Sequence, residues 1–175
     1  MSHKPERRDH VDMVRAQWEK ERPDLDAEAI AIIGRVHRLS QIMFTDIHKP
    51  IFDEHGLIHP DFDVLAALLR SGSPYSKSPG ELLSTLMITS GTMTNRMDRL
   101  ETAGLVQRIA DPEDRRGVLI KLTTKGKEVI SRTLEDHVRA ETAVLKALSE
   151  KERADFSRTL RKLLLTLEKP GAYSG

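Results

Sequence analysis

Apolar residues recur at three- and four-residue steps along most of this chain, which is the period of an amphipathic α-helix. A first short helix is predicted over residues 8–21, before Pro23, and a long one over residues 27–48. The apolar stripe of the long helix consists of Ile32, Val36, Leu39, Met43 and Ile47. Pro50 is expected to kink or end this helix, because proline has no amide hydrogen to donate.

The middle of the chain predicts two further short helices that follow a loop. The stretch SGSPYSKSPG is rich in Ser, Pro and Gly and is typical of a loop. Helices are predicted after it over residues 78–84 and 89–102, and Gly104 is expected to end the second one as a C-terminal cap. This pair of helices has the form of a helix–turn–helix.

Two β-prone runs follow, Leu105–Ile109 and Val118–Leu122, on either side of the polar turn ADPEDRRG. They predict a β-hairpin with an exposed tip. Helical periodicity then returns up to about residue 147 and again over residues 149–168. A hairpin directly after a helix–turn–helix is the winged-helix arrangement, so the predicted fold is mainly α with a small β-wing.

Composition narrows the class of protein. The 175 residues include 28 Lys+Arg and 27 Asp+Glu, a net charge of +1, and no cysteine. Disulfide scaffolds and thiolate metal sites are therefore excluded, and no global charge indicates a nucleic-acid or membrane partner. No apolar run reaches the roughly 18 residues of a membrane span, and the N-terminus lacks the apolar region of a secretory signal. A cytoplasmic protein is expected.

Positive charge is nevertheless concentrated in one part of the chain. Residues 85–127 contain eight Lys/Arg against five Asp/Glu, a local charge of +3. Small hydroxyls, an amide and arginines crowd the predicted helix 89–102, and such groups hydrogen-bond base edges and phosphates in a major groove. The predicted DNA contacts are Thr89, Ser90, Thr92, Thr94, Asn95, Arg96 and Arg99 in the helix and Arg115 and Arg116 at the hairpin tip. An ordinary surface helix and a solvated charged turn are the alternatives.

The run TSGTMTNRMDRLETAGLVQRIADPEDRRGVLIKLTTKG closely resembles the recognition helix and wing of the MarR family of winged-helix transcriptional regulators. The matching motifs are Leu100–Val106, the wing pattern Asp111, Asp114 and Arg116, and the segment Leu122–Gly126. Asp111 and Asp114 are expected to pair with a tip arginine and orient it. The resemblance covers about residues 27–168. It implies a homodimer that binds a pseudo-palindromic operator in double-stranded DNA, and a repressor is expected.

On this basis the chain is predicted to have five segments. They are an N-terminal extension with the extra helix (1–26), an N-terminal dimerisation helix (27–59), a winged helix-turn-helix DNA-binding core (60–122), C-terminal dimerisation helices (123–169) and a tail (170–175). The long terminal helices carry more apolar surface than so small a core can cover. A second copy of the chain is the economical way to bury it.

A narrower resemblance concerns a ligand. MarR-like regulators that respond to urate, with the related PecS-type proteins, share four residues, which here are Trp18, Asp63, Arg96 and Arg108. An indole face and an arginine fork suit a planar anion. The resemblance implies that a small anionic aromatic effector, urate, attenuates operator binding, with an Asp63–Arg108 pair carrying the shift. Another aromatic anion, or a salt-bridge network that binds no ligand, is the alternative.

Two rival classes of function remain to be compared with a DNA-binding regulator. One is a helical protein–protein adaptor that does not bind DNA and uses the hairpin as a docking tip. The other is a metal-dependent hydrolase built on His48, His55 and His59, although their spacing matches no metal-ligand motif. The sequence has no Gly-rich phosphate loop, nucleophile elbow or HExxH motif. No enzyme activity, catalytic residue, metal or cofactor is therefore predicted.

Overall fold

A computed structural model describes residues 8–86, 90–114 and 116–168, and it is mainly helical. Its α-helices are α1 (His10–Glu21), α2 (Ala27–Ile42), α3 (Lys49–Glu54), α4 (His59–Arg70), α5 (Pro79–Leu86), α6 (Ser90–Thr102), α7 (Thr124–Leu145) and α8 (Glu150–Leu167). Its strands are β1 (Ser76–Lys77), β2 (Val106–Ala110) and β3 (Val118–Leu122). This order confirms the predicted winged helix-turn-helix with long terminal helices.

The chain divides into two compact units, one up to Lys49 and one from Pro50 onwards. In the first unit, α1 packs on α2 through buried Val11 and Ala31. Arg35 of α2 also holds the start of α1, because its Nε donates to Asp9 Oδ2 at 2.8 Å and its Nη2 donates to Asp12 Oδ1 at 2.5 Å. The extra N-terminal helix is therefore attached to the long helix within this unit.

The long helix predicted over residues 27–48 differs from the structure at its end. A π-helical turn, Met43–His48, follows α2 and leads directly into α3, so Pro50 lies near the start of a helix instead of ending one. Proline lacks an N–H and its ring crowds the carbonyl four residues earlier. A widened π turn just before Pro50 accommodates both effects, which is why helical structure persists past the proline.

The core of the second unit is built from one apolar face of each helix that surrounds it. Its fully buried large side chains are Phe52, Leu65, Leu68, Leu82, Leu100, Ile120 and Ile130. These residues come from α3, α4, α5, α6, β3 and α7. The helix–turn–helix is therefore held by α4, which packs against both α5 and α6, and by the sheet, in which β3 contacts α5 and β2 contacts α6.

The sheet has the strand order β1-β3-β2 and is antiparallel throughout. β2 and β3 form the predicted hairpin, in which Arg108 lies opposite Ile120. β1 lies inside the stretch that was predicted to be only a loop, with Ser76 opposite Lys121. Two residues carry no periodicity, and their partner strand lies far along the chain, so local pattern does not reveal this strand.

Helix α8 stands out because it buries none of its residues. Large apolar side chains on it are exposed, among them Leu164 at 53%, Leu165 at 63% and Leu167 at 80%. An exposed apolar face of this size in a folded protein indicates an interaction surface. Within the described part of the chain, no helix is both long and apolar enough to cross a lipid bilayer.

Candidate nucleic-acid interface

Helix α6 has one apolar face and one polar face. Met93, Met97 and Leu100 are buried against the core. Thr94 and Asn95 are exposed, and Arg96 is half-buried. Because a helix turns by about 100° per residue, this spacing leaves a polar stripe facing away from the core. That stripe contains three of the predicted DNA contacts, Thr94, Asn95 and Arg96.

Part of the predicted contact set lies outside the described residues. This is the case for Thr89 and Arg115 and for the side chains of Ser90 and Thr92. The remaining predicted contacts, Thr94, Asn95, Arg96, Arg99 and Arg116, all lie on described parts of α6 or the wing.

The tip of the wing is organised by two carboxylates. Asp111 Oδ1 accepts the backbone N–H of Glu113 at 2.9 Å, and Asp114 Oδ1 accepts the backbone N–H of Arg116 at 2.9 Å. Gly117 closes the tip, since a Cβ on it would lie 2.9 Å from Asp111 Cβ. The two aspartates therefore hold the backbone of the wing tip. A pair between them and Arg115, one of the two tip arginines, lies outside the described residues, and Arg116 is exposed.

Arg99 forms an ion pair within the protein that the sequence did not predict. Its Nε donates to Asp61 Oδ2 at 3.0 Å, and its Nη2 makes a second hydrogen bond to Asp61 Oδ1. The carboxylate raises the pKa of Arg99, chiefly through these hydrogen bonds. Asp61 is buried at 5% exposure, so the pair ties α6 to the start of α4. Asp61 therefore engages both arms of the Arg99 guanidinium, and the Arg99 side chain is 47% exposed. The sequence predicted a DNA contact for Arg99 and did not predict this ion pair.

Arg108 on β2 forms a second tie to α6. Its Nη2 lies 2.6 Å from Asp98 Oδ1, its Nη1 pairs with Glu101, and its backbone N–H donates to Glu101 Oε1 at 3.2 Å. Hydrogen bonding to Asp98 is the main cause that raises the pKa of Arg108. Asp98 and Glu101 are three residues apart, so they lie on one face of α6, and that spacing was the sequence signal for this contact.

The predicted Asp63–Arg108 ion pair is not formed among the described residues. Asp63 Oδ1 instead lies 3.6 Å from His59 Nε2, one turn earlier on α4. Both partners of Arg108 come from α6, which the chain places directly before β2. Arg108 therefore pairs with carboxylates that precede it by seven and ten residues, and not with the more distant Asp63.

The remaining residues of the predicted effector set occupy different units. Trp18 belongs to the first unit, is 41% exposed and borders a shallow depression with Val14, Gln17 and Glu21. Asp63, Arg96 and Arg108 belong to the second unit, on α4, α6 and β2.

Two of the three histidines considered as metal ligands contact different carboxylates. His55 Nε2 lies 2.9 Å from Asp136 Oδ2 of α7, and this hydrogen bond lowers the pKa of Asp136. His59 lies beside Asp63 of its own helix. The first pair connects the residue that follows α3 to α7, and the second lies within the first two turns of α4.

Comparison with known proteins gives consistent matches. The model of the MarR family matches residues 55–117. The transcriptional regulator PecS of Dickeya dadantii is 42% identical over 153 residues, covering 87% of this chain and 89% of the relative. The transcriptional repressor YetL of Bacillus subtilis is 29% identical, covering 80% of this chain and 83% of the relative. Among solved structures, a MarR family protein from Bacillus stearothermophilus superposes with a TM-score of 0.67 at 28% identity, covering 83% of this chain and 99% of that one.

Proposed function

This chain belongs to the MarR family of DNA-binding transcriptional regulators, and we propose that it acts as a homodimeric repressor whose operator binding is weakened by a small anionic aromatic ligand. Members of this family are DNA-binding regulators and not enzymes. The observation that carries the proposal is the two-faced helix α6, with Met93 and Met97 buried and Thr94 and Asn95 exposed. Such a regulator acts on chromosomal DNA, so we place it in the cytoplasm.

In the proposed complex, α6 lies in the major groove. Thr94, Asn95 and Arg96 contact base edges and phosphates there. Ser90 and Thr92, and Thr89 before them in the sequence, are proposed to add further contacts. Arg115 and Arg116 at the wing tip neutralise backbone phosphates at the neighbouring minor groove. Asp111 and Asp114 support these contacts by holding the backbone of the tip.

The proposed dimer is supported by exposed apolar side chains on α2 and α8. In the first unit, α2 exposes Ile32 at 49% and Ile33 at 61%; in the second unit, α8 exposes its leucines. Burying such faces against a second copy removes them from water and creates a two-fold axis. Two recognition helices related by that axis would meet successive major grooves about 34–36 Å apart, which explains a pseudo-palindromic operator.

The effector is proposed to bind through Trp18, Asp63, Arg96 and Arg108, with urate as the first candidate. Arg108 supports this proposal physically, because its guanidinium holds Asp98 and Glu101 near the end of α6. An anion that draws Arg108 towards itself competes with both carboxylates. Loosening that tie would change the position of the DNA-contacting helix, which links ligand binding to operator release.

The DNA interface is tested by fluorescence anisotropy on the DNA upstream of the gene for this protein, at several salt concentrations. Arg116→Ala is expected to weaken binding to all sequences and to reduce the slope of log affinity against log salt by about 0.9, the value for one lost phosphate contact. Arg132→Ala, which removes an exposed arginine from α7, is the matched control and should leave the slope unchanged. An Arg116→Ala slope equal to that of the unaltered protein would reject the wing contact.

Base recognition is tested separately with Asn95→Ala. This variant is expected to lose preference at one base pair of the operator, with about 1–3 kcal/mol of discrimination at stake. The preference is read from binding to operators substituted one position at a time. If every position keeps its discrimination, Asn95 does not read a base.

The effector is tested by adding urate to the protein–operator complex. Urate is expected to release DNA from the unaltered protein, and Trp18→Ala and Arg96→Ala are expected to need more urate. Salicylate, a different aromatic anion, is titrated in parallel and distinguishes a urate site from a general site for aromatic anions. If neither compound changes operator affinity, the proposed ligand response is wrong, while the DNA-binding proposal stands on its own measurements.

A further inference from the structure

The buried end of α4 carries a carboxylate that the DNA-contact and effector proposals do not use. Asp61 lies in the first turn of α4, and its N–H donates to Ile58 O at 2.9 Å. A carboxylate in the first helical turn is normally exposed and stabilised by the helix dipole and by water. Asp61 is instead only 5% exposed, and a buried charge requires a charged, hydrogen-bonded partner.

The partner comes from the recognition helix. Arg99 lies in the last turn of α6 and reaches both carboxylate oxygens of Asp61, with Nε at 3.0 Å from Oδ2 and Nη2 on Oδ1. A two-point contact between a planar fork and a carboxylate fixes direction as well as distance. The pair therefore sets how the last turn of α6 lies against the first turn of α4.

We propose that Asp61 is a positioning residue for operator recognition: it holds α6 through Arg99 in the orientation that specific DNA binding requires, without touching DNA. The inference rests on the proposed function, because it takes α6 to be the helix that reads the operator. In this proposal Arg99 connects α6 to α4 and does not contact DNA.

The proposal and a purely electrostatic explanation predict opposite changes in operator affinity when the charge of Asp61 is removed. Asp61→Asn removes one negative charge and keeps the shape of the side chain. If charge alone governed binding, this variant would bind DNA more tightly, since a more positive protein attracts phosphate more strongly. A positioning role predicts the opposite sign, weaker binding to the operator.

The experiment measures affinity for the operator and for an unrelated duplex of equal length, by fluorescence anisotropy. Asp61→Asn and Arg99→Gln are each expected to weaken operator binding by about 2- to 30-fold, the range that residues acting through other residues show. Affinity for the unrelated duplex depends on charge and not on the angle of α6, so for Asp61→Asn it should stay the same or rise slightly. For both variants, affinity for the operator should therefore fall relative to affinity for the unrelated duplex. Partial unfolding would lower both affinities and would overturn the proposal.

Two further variants distinguish an Arg99 that positions α6 through Asp61 from an Arg99 that contacts a DNA phosphate. The double variant Asp61→Asn/Arg99→Gln should bind the operator no more weakly than whichever single variant binds it less tightly, because both changes break the same pair. Arg99→Lys keeps both charges but lacks the planar fork, so it should lose operator affinity as Arg99→Gln does, with an unchanged salt slope. Arg99→Lys also serves as the test if Asp61→Asn does not fold.

The control is Glu128→Gln, which removes the same charge from an exposed ion pair with Arg132 on α7 and should leave both affinities within twofold. Asp61→Asn binding the operator as tightly as the unaltered protein would overturn the proposal. So would an Arg99→Gln slope lowered by about 0.9, which would place Arg99 on a phosphate. A failure of the proposed function is distinguishable, since the unaltered protein would then show no preference for the operator over the unrelated duplex.

Discussion

Gly126 lies in the first turn of α7, where the helix passes against the start of the wing. A Cβ added at Gly126 would lie 1.9 Å from the carbonyl oxygen and 2.8 Å from the carbonyl carbon of Leu105. That oxygen also accepts the N–H of Thr123 at 3.1 Å, so it is fixed in place. Gly126→Ala therefore cannot be accommodated by a side-chain rotation and requires the backbone of the wing or of α7 to move.

The size of the effect follows from two opposed contributions. Forcing extra atoms into a packed site costs about 1–3 kcal/mol and occasionally more, and a clash with backbone belongs at the upper end. Replacing Gly by Ala in a helix returns at most about 1 kcal/mol. We expect Gly126→Ala to lower the free energy of unfolding by about 2 kcal/mol. With a urea m-value of about 1–3 kcal/mol per M, the midpoint should fall by roughly 1 M.

The matched control is Gly80→Ala, the same substitution in the first turn of α5. The nearest atom to a Cβ there is Ser78 Oγ at 3.9 Å, an ordinary contact, so this variant should be as stable as the unaltered protein or more stable by up to about 1 kcal/mol. Urea unfolding is followed by circular dichroism at one protein concentration, because the proposed dimer would make stability depend on concentration. A Gly126→Ala midpoint equal to that of the unaltered protein would refute the clash.

Three further perturbations test other features. Thr123→Ala removes the N-cap of α7, whose hydroxyl accepts the N–H of Gly126 at 2.9 Å, and should lower the free energy of unfolding by about 1 kcal/mol in urea titrations; no change would show that water replaces the cap. The hydrogen bond from His55 lowers the pKa of Asp136 below its usual value of 3.8. The ionised Asp136 carboxylate therefore stabilises the folded state above about pH 4, and this stabilisation is lost as pH falls through the lowered pKa. Unfolding midpoints measured from pH 5 to pH 2 should therefore fall more steeply for the unaltered protein than for Asp136→Asn, and parallel curves would contradict this. Leu164→Glu places a charge on the apolar face of α8 and should shift sedimentation towards monomer at micromolar concentration; an unchanged dimer would exclude that face as the interface.

Most of the elements follow from short-range pattern. The stripes of α2, α7 and α8, the glycine that ends α6 and the alternating residues of β3 each act over a few neighbours, so they are readable from sequence. Gly104 has φ +70°, a conformation that favours glycine, as its predicted role as a cap requires. The polar face of α6 was predictable for the same reason, since helical periodicity determines which residues share a face.

The contacts that hold α6 were not predictable in the same way. Arg99 and Arg108 are arginines in a segment full of carboxylates, and sequence alone assigned the first to DNA and paired the second with Asp63. In the structure the first pairs with Asp61 and the second with Asp98 and Glu101. An arginine pairs with the carboxylate that folding brings within reach, and that choice depends on how helices pack.

The sequence by itself determined the order of helices and hairpin, the family and the two-faced pattern of the helix proposed to bind DNA, because each depends on local periodicity or on a contiguous motif. Tertiary structure alone decided that two residues of a predicted loop form β1, that helical structure persists past Pro50 through a π turn, and which ion pairs anchor α6. Each of these depends on surroundings that no short window of sequence contains: a strand needs its partner strand, and a buried charge needs its counter-ion.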